Sequence, residues 1–113
     1  MAIVIVKDKL FLEDFQKAKE HYPGYIKITI CLEKELIALG GEYHVDAEKL
    51  LLEKGCQQKN IWGGGLNLET NTVETNALIN LRPGENESFE ILDSKKRKKF
   101  IKIARRILKN YVL

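Results

Sequence analysis

The chain reads as a single α+β domain spanning residues 1–113, with a mainly antiparallel sheet and helices packed on one of its faces. Three observations predict this. Stretches of alternating apolar residues and stretches with apolar residues every third or fourth position follow one another in the order β-α-β-β-α-β-β-α. Two pairs of neighbouring strand-like runs are joined by short polar turns and read as antiparallel hairpins. The 113 residues, 44% hydrophobic and 31% charged, suffice for one core without staples.

Ala2–Val6 is apolar and mostly β-branched, as in a buried strand. Leu12, Phe15, Ala18 and Tyr22 then recur at helical spacing until Pro23-Gly24 stops them. Tyr25–Leu32 alternates, with Ile26, Ile28 and Ile30 on one face and Lys27 and Thr29 on the other, which predicts a half-buried strand. Glu33-Lys34 turns the chain into a second strand, Glu35–Leu39.

Gly40-Gly41 permits a bulge or a positive φ, beyond which Glu42–Val45 extends the strand. Asp46 is suited to cap a short helix, Ala47–Lys54, ended by Gly55. Cys56–Asn60 is a polar loop. Ile61–Leu68 is a strand carrying Gly63-Gly64-Gly65, which suggests a bulge or a close backbone approach. After a turn at 70–72, Val73–Arg82 alternates as a further strand until Pro83-Gly84. Asp93 caps the last helix, Ser94 to about Tyr111, whose apolar stripe includes Phe100, Ile103, Ile107 and Leu108.

Composition bounds the function. No segment is long and apolar enough to span a membrane, and the N-terminal apolar run lacks the features of a signal peptide. Cys31 and Cys56 form neither a C-x-x-C pair nor a zinc spacing, so both read as free thiols of a cytoplasmic protein. Charge is unevenly spread. Residues 94–113 hold nine Lys/Arg and no acid, whereas residues 1–93 hold ten Lys/Arg against sixteen Asp/Glu, a net of −6. The basic face of the last helix, with Lys98, Lys102, Arg105 and Lys109, is a candidate contact for nucleic acid or an acidic partner, or simply a solvated face.

The densest chemistry lies in Glu42, His44, Asp46 and Glu48, at every second position. On an extended strand Glu42, His44 and Asp46 would share a face, and one imidazole with two carboxylates suits Mn²⁺, Fe²⁺ or Zn²⁺, or a general base oriented by Glu42. The plainer alternative makes His44 a partly buried strand histidine, Asp46 a cap and Glu48 a first-turn acid. Arg82 is placed to grip an anionic ligand, or to form a salt bridge. Trp62, Asn67 and Asn80 complete the candidate binding residues. Hairpin pairing would gather His44, Trp62, Asn80 and Arg82 at one end of the sheet. No cofactor or metal is specified, and a homo-oligomer is among the assemblies open to such a chain.

The string Gly40-Gly41-Glu42-x-His44-x-Asp46-x-Glu48, followed by Leu51-Leu52, Gly55, Trp62-Gly63, Asn67 and Asn80-x-Arg82-Pro83, resembles a small uncharacterised prokaryotic family, a domain of unknown function. The likeness runs from the first strand to the last helix. It implies a fold type and a surface for function, and no activity. In the resembling pattern an arginine-bearing loop follows Pro83; here Gly84-Glu85-Asn86-Glu87-Ser88 has none.

Overall fold

A computed structural model describes residues 3–112. Ala2, expected to open the first strand, lies outside them. The strands are β1 (Ile3–Val6), β2 (Tyr25–Cys31), β3 (Leu36–Gly40), β4 (Ile61–Asn67) and β5 (Thr72–Glu74). The helices are α1 (Leu12–Ala18), α2 (His44–Glu53) and α3 (Ser94–Leu108), with 3₁₀ turns at Gln58–Asn60 and Leu78–Asn80. All strands belong to one antiparallel sheet in the order β1-β3-β2-β4-β5. The α+β class and the element order are those read from the sequence.

Alternation along β2 sorts the two faces. Ile26, Ile28 and Ile30 point to a core shared with Trp62, Leu66, Phe15 of α1 and Phe100, Ile103, Ile107 and Leu108 of α3. Full burial of such side chains contributes roughly 1.5–3 kcal/mol each. That outweighs the few tenths lost wherever like charges stand four apart on the outer face of α3. Asp93 caps this helix as expected, its carboxylate accepting from the Lys95 and Lys96 backbone N–H groups at 2.9 and 3.1 Å.

The placement of helices on a single face needs correction. Two of them, α1 and α3, cover the isoleucine face, and α2 covers the other, where Ala47 and Leu51 pack on Cys31, Ala38 and Ile61. Small residues make the room. On β2, β3 and β4 this second face carries Thr29, Ala38 and Gly63 side by side in register. Thr29, expected on the solvated side, is therefore only 1% exposed.

Three further expectations change. The strand predicted over Val73–Arg82 ends at Glu74, and Leu78–Asn80 is a 3₁₀ turn. Its alternation does not mark a strand, because Asn80 turns inward to bond the edge of β4. The glycines of β4 produce no bulge: the pairing with β2 runs unbroken from Ile61 to Asn67. They serve instead for close approach, since a Cβ on Gly64 would overlap the carbonyl oxygen of Glu74. Finally, Cys31 and Cys56 are not free thiols but a disulfide, their Cα atoms 6.2 Å apart. The end of β2 and the segment after α2 meet across the second face, within the usual bridging distance. Gly40 and Gly41 do adopt positive φ, 93° and 89°. Among the described residues no helix is long and apolar enough to cross a membrane.

Two outcomes test this packing. Gly64→Ala forces a methyl group against backbone and will cost about 2–3 kcal/mol of stability, read as a lowered urea midpoint. Cys56→Ser opens a bridge across 25 residues. It will cost about 3 kcal/mol relative to the oxidised chain, and a thiol titration of the unmodified oxidised protein will find no free cysteine.

Candidate functional site

Tyr43 stands before the first turn of α2 in extended conformation, with no side-chain cap. The helix starts three residues earlier than the sequence suggests, so His44 is its first residue and not a strand residue. This one shift redistributes the motif. Glu42 stays exposed in the turn after β3, where its carbonyl oxygen accepts from the Tyr22 hydroxyl at 3.3 Å. Asp46, expected as the cap, sits within the first helical turn, where a carboxylate suits the helix dipole. It borders a different hollow, lined also by Ile3, Lys49, Leu50 and Glu53. Glu42, His44 and Asp46 therefore do not converge. Among the described residues no three His, Cys, Asp or Glu side chains are placed to share a metal ion.

Glu48 follows His44 by one turn of α2, and its charge acts on Arg82. Four positions apart on a helix, the two lie on one face, about 6 Å apart at Cβ. The Oε2 atom of Glu48 is buried and has no hydrogen-bond partner among the described residues. In the sequence Glu48 was read as a first-turn acid, because the helix was started too late. A helix begun at His44 puts Glu48 in its second turn.

The imidazole of His44 lies over Gly63. A Cβ built there would sit 3.0 Å from His44 Cδ2, 2.8 Å from Ala77 and 3.0 Å from Ile79, so only glycine leaves room for the ring. The ring's Nε2 lies 2.6 Å from the Gly64 carbonyl oxygen. A carbonyl can only accept, so Nε2 carries the hydrogen and donates it. In the neutral ring the free lone pair is then on Nδ1. Burial, chiefly, holds the imidazole below its usual pKa; the Gly64 bond acts the other way, and the Lys27 charge adds to the depression.

A cleft of about 470 Å³ opens beside this ring, bounded by Tyr25, Lys27, Tyr43, Val45, Asn76 and Leu78 among others. The Lys27 ammonium stands 4.9 Å from the ring centre of Tyr22 and 5.8 Å from that of Tyr25, within cation–π range of both. Burial first, then the Glu74 carboxylate, pushes the Tyr25 phenol up to about 12, so it stays protonated. Tyr43, Val45 and Leu78 are exposed at 60%, 56% and 70%, giving the cleft an apolar rim.

The other predicted site residues stand outside it. Arg82 is 6% exposed and its guanidinium is occupied by backbone: it donates to the carbonyls of Ile61, Lys59 at 3.3 Å and Ile79 at 3.5 Å. It also lies over Trp62, 4.0 Å from the ring centre, with the Lys96 ammonium 5.1 Å from the same ring. Trp62 is 2% exposed and belongs to the core of the α3 face. Asn80 is fully buried and bonds Gly63 twice, accepting from its N–H at 2.8 Å and donating to its carbonyl at 2.9 Å. Asn67 accepts from Glu69 and Thr70 N–H groups and so shapes the turn into β5. Trp62, Asn80 and Arg82 thus gather as expected, while His44 reaches Gly63 from the α2 face and opens on a separate cleft. Sequence reading missed Asn86, whose amide donates to the carbonyls of Asn80, Ser88 and Glu90 at 2.9, 3.0 and 2.9 Å. Of the basic residues, Lys98, Lys102, Arg105 and Lys109 are all exposed on α3.

A family model described as Protein of unknown function (DUF5674) matches residues 4–107, and the chain belongs to that family. No curated protein and no solved structure matches.

The depressed His44 pKa fixes a pH dependence. The folded state resists protonation more than the unfolded one, so this contribution to stability is complete above the ordinary histidine value of about 6.5 and declines as pH falls through the folded value. Urea midpoints of the natural chain will fall on going from pH 7.5 to 5, and His44→Gln will flatten that part of the profile. Nitrogen shifts of the ring will report the Nε2–H tautomer.

Proposed function

We propose that this DUF5674 member binds a small anionic molecule in the cleft beside His44 and carries out general-base chemistry on it. The single observation that carries the reading is the His44 Nε2–H···O=C Gly64 hydrogen bond at 2.6 Å, at the edge of a cleft that also holds Lys27. That bond fixes both tautomer and ring orientation, and a depressed pKa keeps the ring neutral near pH 7. A neutral, oriented imidazole is the form that takes up a proton, and Nδ1 is the atom that takes it.

The surrounding residues define the ligand. Lys27 supplies one positive charge at a mouth that is otherwise apolar or neutral, which favours a carboxylate or phosphate group. Val45, Leu78 and Ile79 offer apolar surface for the rest of the molecule. Tyr25, held protonated, gives its hydrogen to the Glu74 carboxylate and cannot compete for the proton. Glu48, four residues on in α2, directs its charge to Arg82 and has no part in this reading. Arg82, expected to grip the anion, is instead filled by three backbone carbonyls and has no part in this reading. The thiol argument for a cytoplasmic location lapses with the Cys31–Cys56 pairing, because such bridges persist in oxidising compartments.

A panel of small aromatic and aliphatic carboxylates and phosphates, followed by amide chemical shifts, tests the reading. Bound members will perturb Lys27, Val45, Asn76 and Leu78. Lys27→Met will weaken binding about tenfold, roughly 1.4 kcal/mol. His44→Gln will change affinity by less than about threefold and abolish any turnover. Shift changes confined to residues away from the cleft, or turnover that survives His44→Gln, would overturn it.

A further inference from the structure

The cleft lies on the α2 face of the sheet, and α3 lies on the other, so the basic helix is not used by the site just described. At about 100° per residue, Lys95, Lys98, Lys99, Lys102, Arg105 and Lys109 fall within an arc of about 120°, and all six are exposed. From Lys95 to Lys109 the stripe runs for about 21 Å at roughly 1.5 Å per residue. The other cations of the helix are already committed. Arg106 pairs with Glu35 at 3.4 Å, Arg97 donates to the Ile91 and Leu92 carbonyls, and Lys96 lies against Trp62. Among the described residues none of the six stripe cations forms an ion pair. The acids that adjoin the helix are used elsewhere: Glu35 on Arg106, and Asp93 on the helix N-terminus.

We propose that this stripe is a docking face for the phosphate backbone of duplex nucleic acid. A rigid row of cations without partners matches a polyanion with one charge per about 1.7 Å of axis. The stripe holds no aromatic residue on which an unpaired base could stack, and the single tryptophan is buried, so a single strand is the poorer partner. Five of the stripe's six cations are lysines, compact point charges that suit phosphates, so contact is chiefly to the backbone and little dependent on sequence. The anchoring of α3 by Phe100, Ile103, Ile107 and Leu108 keeps the stripe straight. The acidic remainder of the chain, net −6, orients the molecule with this face toward the polyanion.

The test is fluorescence anisotropy of a labelled duplex of about 20 base pairs and mixed sequence, with the full chain at about 50 to 200 mM salt. Affinity for the duplex will fall about a hundredfold across that range, as expected for some four phosphate contacts. Charge reversal at Lys98, Lys102 and Arg105 together will weaken binding at least tenfold. Reversal at Lys49, Lys54 and Lys59, the same change in net charge on the α2 side, will leave it within about threefold. Circular dichroism melts of both variants establish that each is folded. No binding at the lowest salt, equal loss in the two variants, or binding to anionic phospholipid vesicles without binding to duplex would overturn the proposal. His44→Gln leaves duplex binding unchanged, so failure of the cleft reading does not touch this one.

Discussion

Between Ile61 and Gly63 the outer edge of β4 has no strand beside it, and the amide of Asn80 takes the place of one. It accepts from and donates to the same glycine, then spends its remaining hydrogen on the Phe89 carbonyl at 2.9 Å. Arg82 does likewise for Ile61 and Lys59. A buried backbone group left without a partner costs about 1–3 kcal/mol, so these two side chains make an unfinished sheet tolerable. They also fix everything between Thr75 and Leu92. Asn86 ties that segment to itself, and Ala77 and Ile79 are thereby held over Gly63, where they form one wall of the cleft.

The three glycines of β4 work with this arrangement from inside the strand. Each yields its side-chain space to a neighbour: Gly63 to the His44 ring, Gly64 to Phe100 and the Glu74 backbone, Gly65 to the Tyr25 ring. One strand thus receives α2 on one side and α3 on the other. The position of His44 follows from the same shortage of side chains, since its ring can reach a β4 carbonyl only where no Cβ intervenes. The site is a product of what β4 lacks as much as of what α2 carries.

Much of this was legible in the sequence because periodicity reports burial. Ile26-x-Ile28-x-Ile30 and the stripe of α3 are periodic over enough residues to name their element and their inward face. The alternation over Val73–Arg82 misled for the same reason. Polar Asn76 and Asn80 between apolar residues look like a solvated strand face, but Asn80 is turned inward to satisfy β4, a need arising from a partner far along the chain. The start of α2 was lost because Tyr43 offers no capping side chain, while Asp46 looks like a cap and is only a first-turn acid. That slip of three residues put Glu42 and Asp46 beside His44 and set Glu48 in the first turn. The disulfide was out of reach for a different reason: the spacing of two cysteines says nothing of whether the fold brings their Cα atoms together.

Trp62 is the only tryptophan, and its position gives the molecule an intrinsic gauge. Its ring is enclosed by two charges from different parts of the chain, Arg82 from the segment that finishes the sheet and Lys96 from the first turn of α3. Indole emission responds to nearby cations and to water, so either part lifting away would register in the spectrum. The seating of α3 and of the segment that finishes the sheet can thus be followed optically in solution, with no label added.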